Sequence, residues 1–125
     1  SPPLSKEEKL AEYLKKIVDI LLEFAKKAPS LSEEEQAKLA KEAHYKIHQV
    51  FVDAIREDVA SPELIDIFLR YNEAWYRSGG KPKREEIEEV MDRLIEYMRK
   101  LPEISEEDVK KAEEVKELLS EILPE

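Results

Sequence analysis

Apolar residues recur along this chain at intervals of three and four for most of its length, the spacing that lines one face of an α-helix. Leu10, Leu14, Ile17, Leu21 and Phe24 share one arc; Ile87, Val90, Met91, Leu94 and Met98 share another, and Val109, Ala112, Val115 and Leu119 a third. Helix starts are marked with equal regularity. Ser5-Lys6-Glu7-Glu8 and Ser32-Glu33-Glu34-Glu35 are capping boxes, in which the serine accepts from an orphan N–H and the glutamate reaches back. Ser105-Glu106-Glu107-Asp108 does the same with aspartate, and Ser61-Pro62 puts proline where a missing N–H costs nothing. Leu4, Leu31 and Ile104 precede three of these caps, with Ile104 placed to staple onto Val109.

These marks predict helices over 5–27, 32–59, 61–78, 83–100 and 105–122, joined by short connections. Short links make sequential helices neighbours, so the expected fold is all-α: one antiparallel bundle of about five helices occupying residues 1–125. Composition agrees. Charged residues make up 41% and hydrophobic residues 42% with only two glycines, which suits charged helix surfaces around an apolar interior.

The net charge of −9 sets the chain against phosphate backbones, so neither nucleic acid nor an anionic membrane is an expected partner. Without cysteine there is no disulfide, no thiolate zinc site and no thiol nucleophile. No apolar run reaches membrane-spanning length and no signal peptide is visible; Ser1 before Pro2-Pro3 reads as the scar of a cleaved tag.

The Glu/Lys patterning of Lys6-Glu7-Glu8-Lys9, Arg84-Glu85-Glu86 and Lys110-Lys111-Ala112-Glu113-Glu114 resembles that of de novo designed, idealised helical bundles. The resemblance covers helices 1, 4 and 5 best, matches no natural family and carries no functional residue across. It implies a synthetic protein with no natural location, expressed recombinantly in the cytoplasm. A charged helical protein from a thermophile shares the ion-pair-rich composition.

Helices 2 and 3 depart from the aliphatic pattern, and functional sites are where local rules are expected to fail. On helix 2, Ala37, Ala40, Ile47, Phe51 and Ile55 group on one side, and His44 and His48, the only histidines, fall in the middle of that arc with Tyr45 at its margin. Helix 3 carries Leu64, Ile67, Phe68, Tyr71, Ala74 and Trp75 with Asn72 among them, and Leu69 and Tyr76 widen its apolar surface past half the circumference.

The leading expectation is an internal pocket for a small organic ligand between helices 2 and 3. Ala40, Ala43, Ala54 and Ala74 leave room, Phe51, Tyr71 and Trp75 supply walls, and His44, His48, Tyr45 and Asn72 supply polar contacts. The structural alternatives are close helix packing at the alanines and a bonded polar network at the histidines. A second expectation is an enzyme using His44 or His48, buried and neutral, as general base or nucleophile; no core carboxylate is present to orient either. No metal is required, although His-x-x-x-His is half a zinc site and one histidine suffices for haem. A third expectation is a protein-binding or epitope scaffold, or a dimer, using Trp75, Tyr76 and Arg77 of helix 3.

Overall fold

The structure is a computed structural model that describes residues 2–125; Ser1, read above as a tag scar, lies outside them. Among the described residues the chain forms five α-helices: α1 (Lys6–Lys27), α2 (Glu33–Arg56), α3 (Pro62–Arg77), α4 (Arg84–Arg99) and α5 (Glu106–Ile122). The caps fix where they begin. The Ser5 hydroxyl accepts from the Glu8 N–H at 3.1 Å while the Glu8 carboxylate accepts from the Ser5 N–H at 3.1 Å, and Ser32 with Glu35 repeats the arrangement. Ser61 accepts from the Leu64 N–H at 3.1 Å. Only α4 starts on a residue without a side-chain acceptor, Lys83, and there Glu86 reaches back to the Lys83 N–H at 3.3 Å.

Two helix ends share one device. After α3, Gly79 takes a positive φ of 66°, and the Gly80 N–H returns to the Trp75 carbonyl at 2.8 Å while the Gly79 N–H returns to Tyr76 at 3.2 Å. This is a Schellman stop. After α2 the same turn is made by Asp58 at φ 58°, with the Val59 N–H on the Ala54 carbonyl and the Asp58 N–H on Ile55, each at 3.0 Å. Consequently α2 stops at Arg56, and residues 57–59, expected to be its last turn, form the connection instead. Neither glycine nor proline announces this end; an aspartate in the left-handed region does, a conformation it tolerates better than most side chains.

The helices form a row: α2 packs on α1, α1 on α5, α5 on α4 and α4 on α3. Sequential helices run antiparallel, and α5 therefore lies alongside α1 in the same direction. The two ends of the row, α2 and α3, do not pack closely through their backbones, although only Glu57–Ser61 joins them.

At the linked end the bundle is solid. Leu14, Val18, Leu64, Met98 and Val115 are fully buried, and Phe51 of α2 stacks on Phe68 of α3 with ring centres 4.2 Å apart. Tyr97 is buried here with its hydroxyl 2.7 Å from the Ser61 hydroxyl. Tyr13 is half-buried and donates to Glu57 at 2.5 Å, and holding that proton pushes its pKa up to about 12. Among the described residues no helix is long and apolar enough to cross a membrane.

Candidate functional site

Away from the link, beside the gap between the α2 and α3 backbones, lies a cavity of about 450 Å³. All five helices contribute to its wall. Ile17, Leu21 and Phe24 come from α1, Ile87, Val90, Met91 and Leu94 from α4, and Leu119 and Ile122 from α5. From α2 come Ala37, Ala40, Ala43, His44, Ile47 and Phe51, and from α3 Ile67, Tyr71 and Trp75. The space exists because α2 presents alanines at 37, 40 and 43, where its second half presents Ile47 and Phe51. A cavity lined by such groups sheds water rather than holding it, since water needs polar partners.

The cavity has a floor and a rim. Phe51, Ile67 and Leu94 close it toward the solid half of the bundle. At the opposite end it reaches exposed residues: Glu33 and Ala37 at the start of α2, Lys81 in the α3–α4 connection, and Pro124 beyond α5. Hydrogen bonds between segments tie that end together. The Gln36 side-chain amide donates to the Ala28 carbonyl at 2.6 Å, and the Arg84 N–H donates to the Pro124 carbonyl at 2.8 Å.

Aromatic side chains bridge the gap that the α2 and α3 backbones leave. His44, 2% exposed, is the one polar or charged residue buried among the described residues. Its imidazole lies flat on the Trp75 indole, ring centres 4.3 Å apart and planes 3° from parallel, and its Nδ1 sits 2.6 Å from the Tyr71 hydroxyl. Gly80 lies against the six-membered ring of Trp75; a Cβ there would stand 3.3 Å from Cζ2, so the glycine that ends α3 also leaves room for the indole.

Nε2 of His44 is shut off from water and has no hydrogen-bond partner. Hydrogen counting assigns the tautomer. If Tyr71 donates to Nδ1, Nε2–H alone is orphaned; if Nδ1–H donates to Tyr71, both Nε2 and the phenol proton lose a partner. Each orphan costs roughly 1–3 kcal/mol, so the phenol is the donor. Burial first, and the neighbouring His48 second, hold the His44 pKa below its ordinary value, which keeps the ring neutral. Burial, reinforced by Tyr76, raises that of Tyr71, which keeps its proton.

The residues singled out from sequence divide into two groups. His44, Phe51, Tyr71 and Trp75 meet at the cavity. His48 does not line it; half-buried, it turns an edge toward Phe68, ring centres 5.4 Å apart. Tyr45 is 61% exposed on the outer surface. Asn72 is half-buried with its Oδ1 unpaired and also lies off the cavity. Of the four alanines, Ala40 and Ala43 open the space, whereas Ala54 and Ala74 are buried in close packing elsewhere.

The pocket is thus not a slot between two helices but a chamber across all five. Gln36, Glu33 and Lys81 at its rim carried no sign in the sequence, because each reads as an ordinary surface residue. No group of three or more His, Asp or Glu side chains is placed to hold a metal ion among the described residues, and the Nδ1 of His44 is taken by Tyr71. No protein-family model, curated protein or solved structure matches the chain.

Proposed function

We propose that this protein is an idealised, designed helical bundle whose function is to bind a small, uncharged, largely apolar organic molecule in the chamber at its splayed end. One observation carries the reading: a cavity of about 450 Å³ left open in an otherwise close-packed bundle. Its size lies in the range typical of small-molecule pockets, roughly 300–1,000 Å³. It is roughly three times the engineered cavity of about 150 Å³ that takes up benzene.

The chemistry of the wall sets the class of guest. The floor and sides are aliphatic and aromatic, and the charged lining residues, Glu33 and Lys81, stand at the rim. A guest bringing a charge to the floor would lose its hydration with nothing to replace it. Binding is favoured over histidine catalysis because neither ring nitrogen of His44 is open to a guest: Nδ1 is bonded to Tyr71 and Nε2 is shut off. His44 acts instead as a wall, stacked with Trp75 across the seam between α2 and α3.

The test is a fluorescence titration with N-phenylnaphthylamine, a neutral dye that brightens in apolar surroundings. Saturable brightening at one dye per chain is expected, and it should be lost in Ala43→Leu, which fills the chamber. Equal brightening in the filled variant would place the dye elsewhere and overturn the reading.

A second reading is favoured by the outer face of α3, where Leu69 and Tyr76 are 58% and 65% exposed even though Tyr76 meets His44 of α2 edge-on, ring centres 5.6 Å apart. Standing seven residues apart, they share one face and form a surface for a protein partner or a second copy. Sedimentation equilibrium of the wild type against Leu69→Lys/Tyr76→Lys distinguishes a self-associating surface from an idle one.

A further inference from the structure

We infer that His44 is an acid-operated latch: when its ring takes up a proton, α2 parts from α3 at the open end and the guest escapes into water. The escape rests on the binding reading above; the parting does not, and is read without a guest.

The latch follows from how the seam is made. The α2 and α3 backbones do not pack closely, so side chains form the seam between them. Toward the link Phe51 stacks on Phe68, ring centres 4.2 Å apart. At the chamber His44 reaches three residues of α3 at once: Trp75 stacked at 4.3 Å, Tyr76 edge-on at 5.6 Å, and Tyr71 with its hydroxyl 2.6 Å from Nδ1. His44, Tyr71 and Trp75 also line the chamber, so the contacts that close the seam are part of its wall.

The ring is seated for its neutral form. Neutral, it accepts the phenol proton at Nδ1 and leaves one N–H, at Nε2, unpaired. A proton added at Nδ1 displaces the phenol proton from its acceptor, and Nε2–H still has none, so the cation is buried with poorer bonding than the neutral ring. No anion compensates. The groups facing His44 are Tyr71 and Tyr76 from α3 and Tyr45 and His48 from its own helix, ring centres between 5.3 and 6.2 Å away. One turn along α2 to either side stand Ala40, Lys41, Ile47 and His48, again without an acid. The chamber-lining side chains of α1, α4 and α5 are apolar, and Glu33 and Lys81 stand at the rim. The charge is therefore better accommodated in water, and proton uptake favours the form in which the ring has left the seam. Burial, with His48 second, keeps the ring neutral until the pH falls below about 6.5. What gives way is local, because α2 stays packed on α1 and the Phe51–Phe68 stack serves as the hinge.

The experiment acidifies the full chain from about pH 7.5 to about pH 4.5. The chain has no cysteine, so Glu42→Cys on α2 and Glu73→Cys on α3, both exposed, carry one defined pair of spin labels. By double electron–electron resonance the labels move apart with the midpoint of the His44 ring-proton titration, while far-ultraviolet circular dichroism holds. Bound N-phenylnaphthylamine loses affinity by about tenfold per pH unit below that midpoint, as the closed form is depleted. Both responses vanish in His44→Phe and survive in His48→Asn. In Tyr71→Phe, which removes the bond favouring the neutral ring, both shift upward by about one pH unit. A label distance that ignores the titration, a ring that does not titrate before the helices melt, or an equal response in His44→Phe overturns the inference and leaves the binding reading standing. A dye that fails to bind at about pH 7.5 overturns the binding reading, and the labels alone then decide the latch.

Discussion

The two ends of this bundle are built from the same helices and held by the same caps, yet one is solid and the other hollow. At the linked end α2 turns Ile47 and Phe51 inward, Phe51 stacks on Phe68, and Leu14, Leu64 and Met98 fill the space between helices. At the open end α2 turns Ala40 and Ala43 inward, and the gap is bridged by His44, stacked on Trp75, bonded to Tyr71 and met edge-on by Tyr76. The lesson concerns side-chain volume. A helix that keeps its axis but shortens its inward side chains leaves a void, because neighbours tied down by their own packing collapse into it only partly.

The largest expected effect lies in the solid half. Leu64→Ala removes a fully buried side chain and should destabilise by about 2–5 kcal/mol in chemical denaturation, whereas the reverse change in the hollow half, Ala43→Leu, should cost less than about 1 kcal/mol. Comparable losses from the two would erase the distinction between the ends. Next comes Tyr71→Phe, which leaves Nδ1 of His44 buried without a partner at a cost of about 1–3 kcal/mol. The same change should raise the His44 pKa, because the phenol proton favours the neutral ring.

A shallower effect follows from pH. The folded pKa of His44 is held down, so between it and the unfolded value near 6.5 the unfolded chain binds more protons than the folded one. Stability is then full above about pH 6.5 and falls as the pH drops toward the folded pKa. His44→Phe should flatten that part of the profile; an unchanged slope would assign it to other groups. Smallest is Asp58→Gly at the end of α2, which relieves a left-handed aspartate and should stabilise by up to about 1 kcal/mol, less the weak exposed ion pair with Lys6.

Much of this architecture could be read from the chain. Helix starts were legible because Ser5, Ser32, Ser61 and Ser105 act locally, on N–H groups three residues away. The end of α2 was not, because Asp58 is one of many acids and nothing local marks its left-handed turn. His44 stood out as an imidazole in an apolar arc, and Ala40 and Ala43 as small residues on that same face. His48 shares the spacing but turns its edge to Phe68, since four residues on a helix fix a direction and not a neighbour. The chamber's extent depends on how far α2 and α3 diverge, which is set by α1, α4 and α5 together. Its rim, at Glu33, Gln36 and Lys81, came from tertiary placement alone.

The central claim is that the open end holds a preformed chamber which takes a neutral guest. Its most direct test is the set of nuclear Overhauser contacts between bound N-phenylnaphthylamine and the side-chain methyls of the chain. Contacts to Ala40, Ala43 and Met91, with none to Leu14 or Leu64, are the predicted result. Contacts confined to Leu69, Ile55 and the outer faces of the helices would put the dye on the surface and contradict the account.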